Sequence, residues 1–524
     1  MMRYLVMPLS VVVCLLLVLG TWPDVHAENV TDAIKSLQAG KEMQKNADVI
    51  RNSDIEGKKL YRYLTRDRRY EDADKGWASG YVKFEEGFEQ EYVYYVHEKY
   101  DPKKPVPVIV VLHGGVSRPQ PIAGESLKRY GGNYVSLLDS GKEPFIMIVP
   151  AGTGRTPWWS KNGSKMVFDA IDDMKRTYNV DTDRVMVTGF SDGASGSYYL
   201  SMTNPTKFCQ FWPFNGFAAV ATMTGTKVYL ESMKNRPMFA CNTTEDSLYP
   251  PNYYNPFVKA MKDVGVALTF HEFENIGHNF AYIDKIAKET RKLFAKTERD
   301  PWANELTWVC ADTSHFNRID WIEILETGQA ENSREFENRT VKITSGVKLG
   351  VNIDQNYVGE GVRVGKVEPG STAANIGMQD GDVIIEMQGE KVSGLNDLRA
   401  VLSTLEGGEK LVVVVERAGK REKLEGTVAK PRGREVLSYG VEPGFVHVKK
   451  QGNTFEVDAA NVTSLRIMLS PDFVDFDKEV AVNVNGKEVA KLEVGYSKKD
   501  ILHSYLRDFD VRTLAATYLD IQID

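Results

Sequence analysis

The sequence is poor in the residues that build disulfide frameworks and metal centres. Its 524 residues include 4 cysteines and 8 histidines, and three of the cysteines, Cys209, Cys241 and Cys310, lie beyond the first 27 residues. This density excludes a fold built on disulfides, and an odd number allows at most one internal pair. The cysteine spacing fits no zinc motif. We therefore expect neither a metal ion nor an organic cofactor.

The sequence also lacks any tract of lysine and arginine. Its formal net charge is −7 and its pI is about 5.8. Both values argue against nucleic acid or an anionic membrane as a partner, because each would need a positive surface.

Long hydrophobic runs are absent except near the start. Arg3 precedes an apolar run over 11–19, and Val25-His26-Ala27 suits a signal peptidase. The run is shorter than the ~20 residues of a membrane span. We therefore predict a signal peptide at 1–27 and a secreted or periplasmic protein without stable membrane insertion. A sequon at Asn242, close to a candidate catalytic residue, favours a bacterial origin, in which such sites stay unmodified.

The chain is long enough for several domains. The polar, helix-prone composition of residues 28–75 predicts a short helical lead-in packed loosely on the next domain, with a solvated spacer as the alternative. From 76 to 300, strand-like and helix-like patterns alternate, which indicates a mostly parallel sheet covered by helices on both faces.

One motif in this second region organises the prediction. Gly189-Phe190-Ser191-Asp192-Gly193 follows a strand pattern and precedes small residues that can start a helix. In a nucleophile elbow, the central serine lies on a sharp strand-to-helix turn, and the flanking glycines avoid steric collisions. Ser191 is therefore the candidate nucleophile.

Three further polar sites follow strands. His113-Gly114-Gly115 can offer the N–H groups of Gly114 and Gly115, together with that of Asp192, as an oxyanion hole. Asp246 is the candidate orienting carboxylate, with Glu245 as the competitor, and His278 is the candidate base, with His271 as the alternative.

These motifs resemble those of exported α/β-hydrolases of the polyhydroxybutyrate-depolymerase and feruloyl-esterase-like group. The resemblance covers about 80 to 298 and implies that Ser191, His278 and Asp246 form a catalytic triad. It implies two-step acyl transfer through an acyl-enzyme, and it does not specify the substrate.

Aromatic residues near these motifs suggest a substrate pocket. Trp158, Trp159 and Tyr249 are candidate lining residues, with packing beneath a loop as the alternative. Because Asp192 places negative charge beside the nucleophile, we expect a neutral ester to be preferred over an anionic one.

Residues 344–431 form a distinct unit. The segments Val364-Gly365-Lys366-Val367-Glu368-Pro369-Gly370 and Gly377-Met378-Gln379-Asp380-Gly381-Asp382 resemble a bacterial PDZ domain. The resemblance implies that an extended peptide or protein C-terminus adds to a sheet edge. The candidate binding residues are Leu349, Gly350 and Val351 in the carboxylate loop, and Leu398 and Leu402 on the helix. Packing of this unit against its own chain is the alternative.

The flanking segments, 301–343 and 432–524, read as strands. We predict that they form one discontinuous, β-sandwich-like domain into which the PDZ domain is inserted. The favoured function is an exported serine esterase. A serine peptidase with PDZ-delivered substrates and a non-catalytic PDZ adaptor are the alternatives.

Overall fold

The computed structural model describes residues 30–66, 68–139, 143–330, 333–337, 339–344, 347–354, 357–430, 433–437 and 442–523. The predicted signal peptide lies outside them. No described helix is long and apolar enough to cross a bilayer.

The described chain begins with three short helices, α1 (Val30–Gln38), α2 (Met43–Arg51) and α3 (Gly57–Leu64). Leu37, Ile50 and Leu60 on them are fully buried, and they share an apolar cluster with Ile501 and Leu502 near the chain's other end. The helices predicted here are present, but the expectation that they pack loosely or form a solvated spacer is wrong. The apolar positions are too sparse to form a core alone, and the distant C-terminal segment supplies the missing half.

An α/β domain follows, built on eight strands in the order β1-β2-β4-β3-β5-β6-β7-β8. The pairs β1/β2 and β2/β4 are antiparallel, and the remaining neighbours are parallel. The strands are β1 (Gly76–Lys83), β2 (Glu89–Val96), β3 (Val106–Leu112), β4 (Ile146–Pro150), β5 (Val180–Phe190), β6 (Gln210–Phe214), β7 (Met238–Thr243) and β8 (Leu268–Phe273).

Helices lie between these strands or follow the last of them: α4 (Gly124–Leu138), α5 (Lys161–Thr177), α6 (Asp192–Thr203), α7 (Pro251–Val264) and α8 (Ile283–Lys296). Every residue of β3 and β4 is buried, as expected for strands covered on both faces. Helix α5 illustrates how local sequence forms these elements. Ser160 caps its N-terminus by accepting a hydrogen bond from the Gly163 N–H, and its apolar stripe faces the core. The α/β-hydrolase fold predicted from the sequence is confirmed.

Beyond the α/β domain lie β9 (Glu305–Cys310), β10 (Arg318–Ile319), β11 (Ile322–Thr327) and β12 (Val341–Thr344). The PDZ region contains β13 (Val351–Ile353), β14 (Val362–Val367), α9 (Thr372–Asn375), β15 (Val383–Met387), β16 (Glu390–Lys391), α10 (Leu395–Ser403), β17 (Lys410–Arg417) and β18 (Lys420–Thr427). The chain continues with β19 (Gly433–Leu437), β20 (Gly444–Gln451), β21 (Thr454–Ala460), β22 (Val462–Leu469), β23 (Val480–Val484), β24 (Lys487–Leu492), α11 (Lys498–Asp508) and β25 (Thr517–Gln522).

Two sheets enclose the core of the β-rich region. Their strand orders are β10-β11-β22-β25 and β24-β23-β21-β20-β9, and one apolar cluster fills the space between them. The pairs β9/β20 and β11/β22 each join a strand from before the PDZ region to one from after it.

A two-stranded ribbon, β12 paired with β19, flanks the PDZ region on both sides. It brings the entry and exit of the PDZ region together. Val341, Ile343 and Val436 of this ribbon are buried in the main core of the hydrolase domain. The Thr222 hydroxyl also donates to the Val436 carbonyl at 3.3 Å. The PDZ region has a separate apolar core of its own.

Candidate active site

Ser191 lies between the end of β5 and the start of α6. Its backbone has φ 60° and ψ −123°, a strained conformation for a residue with a side chain. A Cβ on Gly193 would lie 1.9 Å from the Leu112 carbonyl oxygen, and one on Gly189 would lie 2.4 Å from the Gly193 carbonyl carbon. Both glycines of the motif are therefore sterically required, as in a nucleophile elbow.

Asp246 and His278 meet at the same edge of the sheet. Nδ1 of His278 lies 2.7 Å from Oδ2 of Asp246, and the Asp246 side chain is fully buried. The backbone N–H groups of Leu248 and Tyr249 donate to Oδ1 of Asp246 at 2.9 and 3.0 Å. The competing residues lie elsewhere: Glu245 is exposed, and His271 pairs with Glu289.

Hydrogen bonds keep Asp246 ionised despite its burial. Burial acts to raise its pKa, but hydrogen bonds from His278 and Asn215 outweigh that effect, and the pKa lies below its usual value. A buried carboxylate of this kind fixes the imidazole and favours its cationic form.

Asn215 is a site residue that the sequence analysis missed. Its Nδ2 donates to Oδ2 of Asp246 at 2.9 Å and to Oγ1 of Thr243 at 2.6 Å. The Tyr282 hydroxyl donates to its Oδ1 at 2.7 Å. Asn215 also has a φ of 49°, which asparagine tolerates better than most residues. No motif marks it, although an asparagine directly after an apolar strand at this sheet edge is a weak clue.

The imidazole of His278 contacts two aromatic rings. Its centroid is 4.7 Å from that of Phe190 and 5.7 Å from that of Tyr249. Among the described hydrogen bonds, none joins the Ser191 hydroxyl to His278. Catalytic hydrogen bonds are often loose before substrate binds, so this geometry is compatible with a base role.

The loop after β3 lies against Ser191. A Cβ on Gly114 would lie 2.9 Å from Cβ of Ser191 and 3.4 Å from its Oγ, and Gly115 has a φ of 68°. The Asp192 carboxylate fixes this loop, because its Oδ2 accepts from the Val116 N–H at 2.9 Å. The predicted oxyanion-hole residues Gly114, Gly115 and Asp192 are thus brought together around Ser191.

The His113 side chain fixes the same loop through two hydrogen bonds. Its Nε2 accepts from the Gly152 N–H at 2.8 Å, so Nδ1 carries the proton and donates to the Gly114 carbonyl at 2.8 Å. Burial lowers the pKa of His113 to about 4, and the ring is neutral near pH 7.

The predicted pocket aromatics divide into two kinds. Trp158 is 1% exposed, and its indole N–H donates to the His113 carbonyl, so the prediction that it lines the pocket rim is wrong. It supports the loop from within the core, a position that sequence alone cannot separate from the rim. Trp159 is half-buried against the same core.

Tyr249, the third predicted pocket aromatic, lies beside Asp192 at the candidate active site. Its hydroxyl lies 3.4 Å from Oδ1 of Asp192. Burial and the Asp192 charge raise the pKa of Tyr249 to about 12, partly opposed by contacts with the hydroxyls of Ser195 and Ser191. The phenol is therefore protonated and can donate a hydrogen bond beside Ser191.

In the PDZ region, β13 is the edge strand of its sheet. Gly350 has a φ of 77°, and a Cβ there would lie 2.2 Å from Cβ of Ser371, so only glycine fits. Leu349 and Leu398 are nearly fully buried in the PDZ core, whereas Val351 and Leu402 are half-buried at its margin.

No group of three or more His, Cys, Asp or Glu side chains in the described part of the chain is placed to hold a metal ion. Cys209, Cys241 and Cys310 are buried, free thiols.

Two segments match known families. Residues 161–287 match the Phospholipase/Carboxylesterase family, and residues 346–428 match the PDZ domain family. The chain therefore carries an esterase-like α/β-hydrolase domain and a PDZ domain.

The chain is similar to the bifunctional acetylxylan esterase/xylanase XynS20E of Neocallimastix patriciarum, with 28% identity over 162 residues. The match covers 30% of this chain and 22% of that protein, so the chain spans less than a quarter of the relative's length.

Solved structures with a similar fold include a thermostable esterase at 19% identity and a TM-score of 0.36, covering 43% of this chain and 63% of that one. Another is the acylaminoacyl peptidase of Pyrococcus horikoshii at 14% identity and a TM-score of 0.34, covering 43% and 42%.

Proposed function

We propose that this protein is an exported serine hydrolase that cleaves carboxylic esters through an acyl-enzyme. One observation carries the proposal. The buried Asp246 carboxylate holds Nδ1 of His278 at 2.7 Å, at the sheet edge where Ser191 lies on strained backbone. The carboxylesterase-family match over 161–287 supports an ester as the substrate.

Each side chain has a role in this mechanism. Ser191 Oγ attacks the ester carbonyl while Nε2 of His278 takes its proton, and Asp246 stabilises the resulting imidazolium. The N–H groups of Gly114, Gly115 and Asp192 receive the oxyanion. His278 then protonates the departing alcohol. Water, with His278 again acting as the base, attacks the acyl-enzyme and releases the acid.

The test compares wild type with Ser191→Ala on p-nitrophenyl acetate. We expect the variant to lose at least about 10³-fold in kcat/KM while keeping its melting temperature. Acetylated xylan is a second substrate to test, since the relative is described as an acetylxylan esterase. Ser201→Ala is a matched control, since Ser201 lies buried on the same helix and donates to the Tyr198 carbonyl. Equal turnover by wild type and Ser191→Ala would exclude Ser191 as the nucleophile.

A serine peptidase is the second candidate, because the PDZ domain is a means of holding a protein substrate. Ester turnover without cleavage of any member of a C-terminally varied peptide library would argue against it. The third candidate, a non-catalytic adaptor, requires that Ser191 fail to react with a fluorophosphonate.

For the PDZ domain, we propose that a peptide or protein C-terminus pairs with β13. The loop Leu349-Gly350-Val351 would hold the carboxylate, and Leu402 would contact the terminal side chain. Export remains a proposal that rests on the first 27 residues, and N-terminal sequencing of the mature protein tests it.

A further inference from the structure

One guanidinium group lies beside the proposed oxyanion hole. Nε of Arg118 donates to the Gly115 carbonyl at 2.7 Å. Nη2 of Arg118 lies 2.8 Å from the position that a Cβ on Gly115 would take. The neighbouring residue, Gly114, lies against the Ser191 side chain. The guanidinium therefore contacts the residue next to the one that packs on Ser191.

The backbone that carries Arg118 is fixed on both sides. The Arg118 carbonyl accepts from the Gly154 N–H at 2.8 Å, and the Val116 N–H donates to the Asp192 carboxylate. The position of this positive charge is therefore set by the same contacts that shape the oxyanion loop.

Arg118 has no carboxylate partner among the described residues, and it is exposed. The nearby carboxylates have other partners. Asp192 accepts from Val116 and lies near the Tyr249 hydroxyl, and Asp246 holds His278. With Nε bound to Gly115, the two terminal nitrogens remain available for a carboxylate of the substrate.

We propose that the preferred ester carries an anionic group within a few bonds of the scissile carbonyl, and that Arg118 recognises it. This inference rests on the proposed esterase function and adds the class of substrate. It departs from the expectation of a neutral ester, since that expectation gave weight to the charge of Asp192 alone.

The experiment compares matched pairs of esters. p-Nitrophenyl hemisuccinate against p-nitrophenyl butyrate tests an anion on the acyl side. 4-Acetoxybenzoate against 4-acetoxybenzamide tests an anion on the alcohol side. For wild type, we expect kcat/KM for one anionic ester to exceed that for its neutral partner by about three- to tenfold, with the ratio falling as salt is added.

Three variants assign this ratio to a residue. Arg118→Gln should abolish it, and Arg118→Lys should reduce it, because an ammonium group keeps the charge but lacks the paired N–H donors. Arg155→Gln is the matched control: Arg155 lies on the adjoining loop and stacks on Phe88 at 3.9 Å, so its loss should leave the ratio unchanged. A wild-type ratio of one or less in both pairs overturns the inference, as does an unchanged ratio in Arg118→Gln.

Failure of the esterase proposal gives a different result. In that case neither neutral ester is hydrolysed, and the same comparison is made by calorimetry with succinamate and butyramide. Tighter binding of succinamate that is lost in Arg118→Gln supports the recognition of an anion. Equal binding of the two compounds contradicts it.

Discussion

The active-site edge of the hydrolase domain and the edge of the PDZ sheet use backbone groups in opposite ways. Around Ser191, the carboxylates of Asp192 and Asp246 are already bound by N–H groups of the chain. In the PDZ domain, β13 pairs with β14 on one side and ends its sheet on the other. A catalytic site must be organised before its substrate arrives, whereas a strand-adding groove must leave hydrogen bonds to be made.

The most severe test of this comparison removes the charge of Asp246. We expect Asp246→Asn to lower kcat by about 10³- to 10⁴-fold, because an amide neither fixes the imidazole proton correctly nor stabilises the imidazolium. Steady-state kinetics on p-nitrophenyl acetate measures the loss. Glu245→Gln is the control, since Glu245 is exposed, and a larger loss there would transfer the role to Glu245.

The second test asks whether the ribbon belongs to the hydrolase or to the PDZ domain. Ile343 is 1% exposed in the hydrolase core, so Ile343→Asp should lower the free energy of unfolding of that domain by about 4 kcal/mol. Leu402→Asp, at the margin of the PDZ core, should leave the hydrolase transition in place. Calorimetry separates the two transitions, and a hydrolase transition unmoved by Ile343→Asp would show that the ribbon is an independent linker.

A third test concerns the strained turn itself. Gly193→Ala should destabilise the hydrolase domain by about 3 kcal/mol, because its Cβ would overlap the Leu112 carbonyl oxygen. Gly132→Ala is the matched control: Gly132 lies in α4 with no atom within 4 Å of a new Cβ, and alanine favours helix by up to about 1 kcal/mol. Chemical denaturation measures both, and equal effects would contradict the steric account.

The last expected effect depends on pH and develops gradually. Because folding lowers the pKa of His113 from 6.5 to about 4, the unfolded chain binds a proton that the folded chain refuses between these values. This contribution to stability is present above pH 6.5 and is lost as the pH falls towards 4, by up to about 3 kcal/mol. The pH dependence of unfolding in wild type, compared with His113→Gln, isolates it. Parallel curves over this range would show that folding does not change the pKa of His113.

Local sequence was sufficient to predict the structure where the geometry of the backbone itself dictates it. The glycines around Ser191 predicted the turn, since any side chain there collides with backbone, and strand ends placed Asp246 and His278 at one edge. Asn215 and Tyr282 escaped notice because their role arises only when three distant segments meet. Trp158 was misplaced for a related reason: its burial depends on the packing of the neighbouring loops, which local sequence does not specify.

The three helices at the start of the described chain have a consequence for the order in which the molecule matures. Their apolar side chains pack against α11, which the ribosome adds long after α3 is complete. The apolar side chains of residues 30–64 therefore cannot complete this cluster until residues 498–508 have been synthesised. Closure of this cluster requires α11, and a chain cut short before residue 498 would leave the apolar side chains of α1–α3 without these partners.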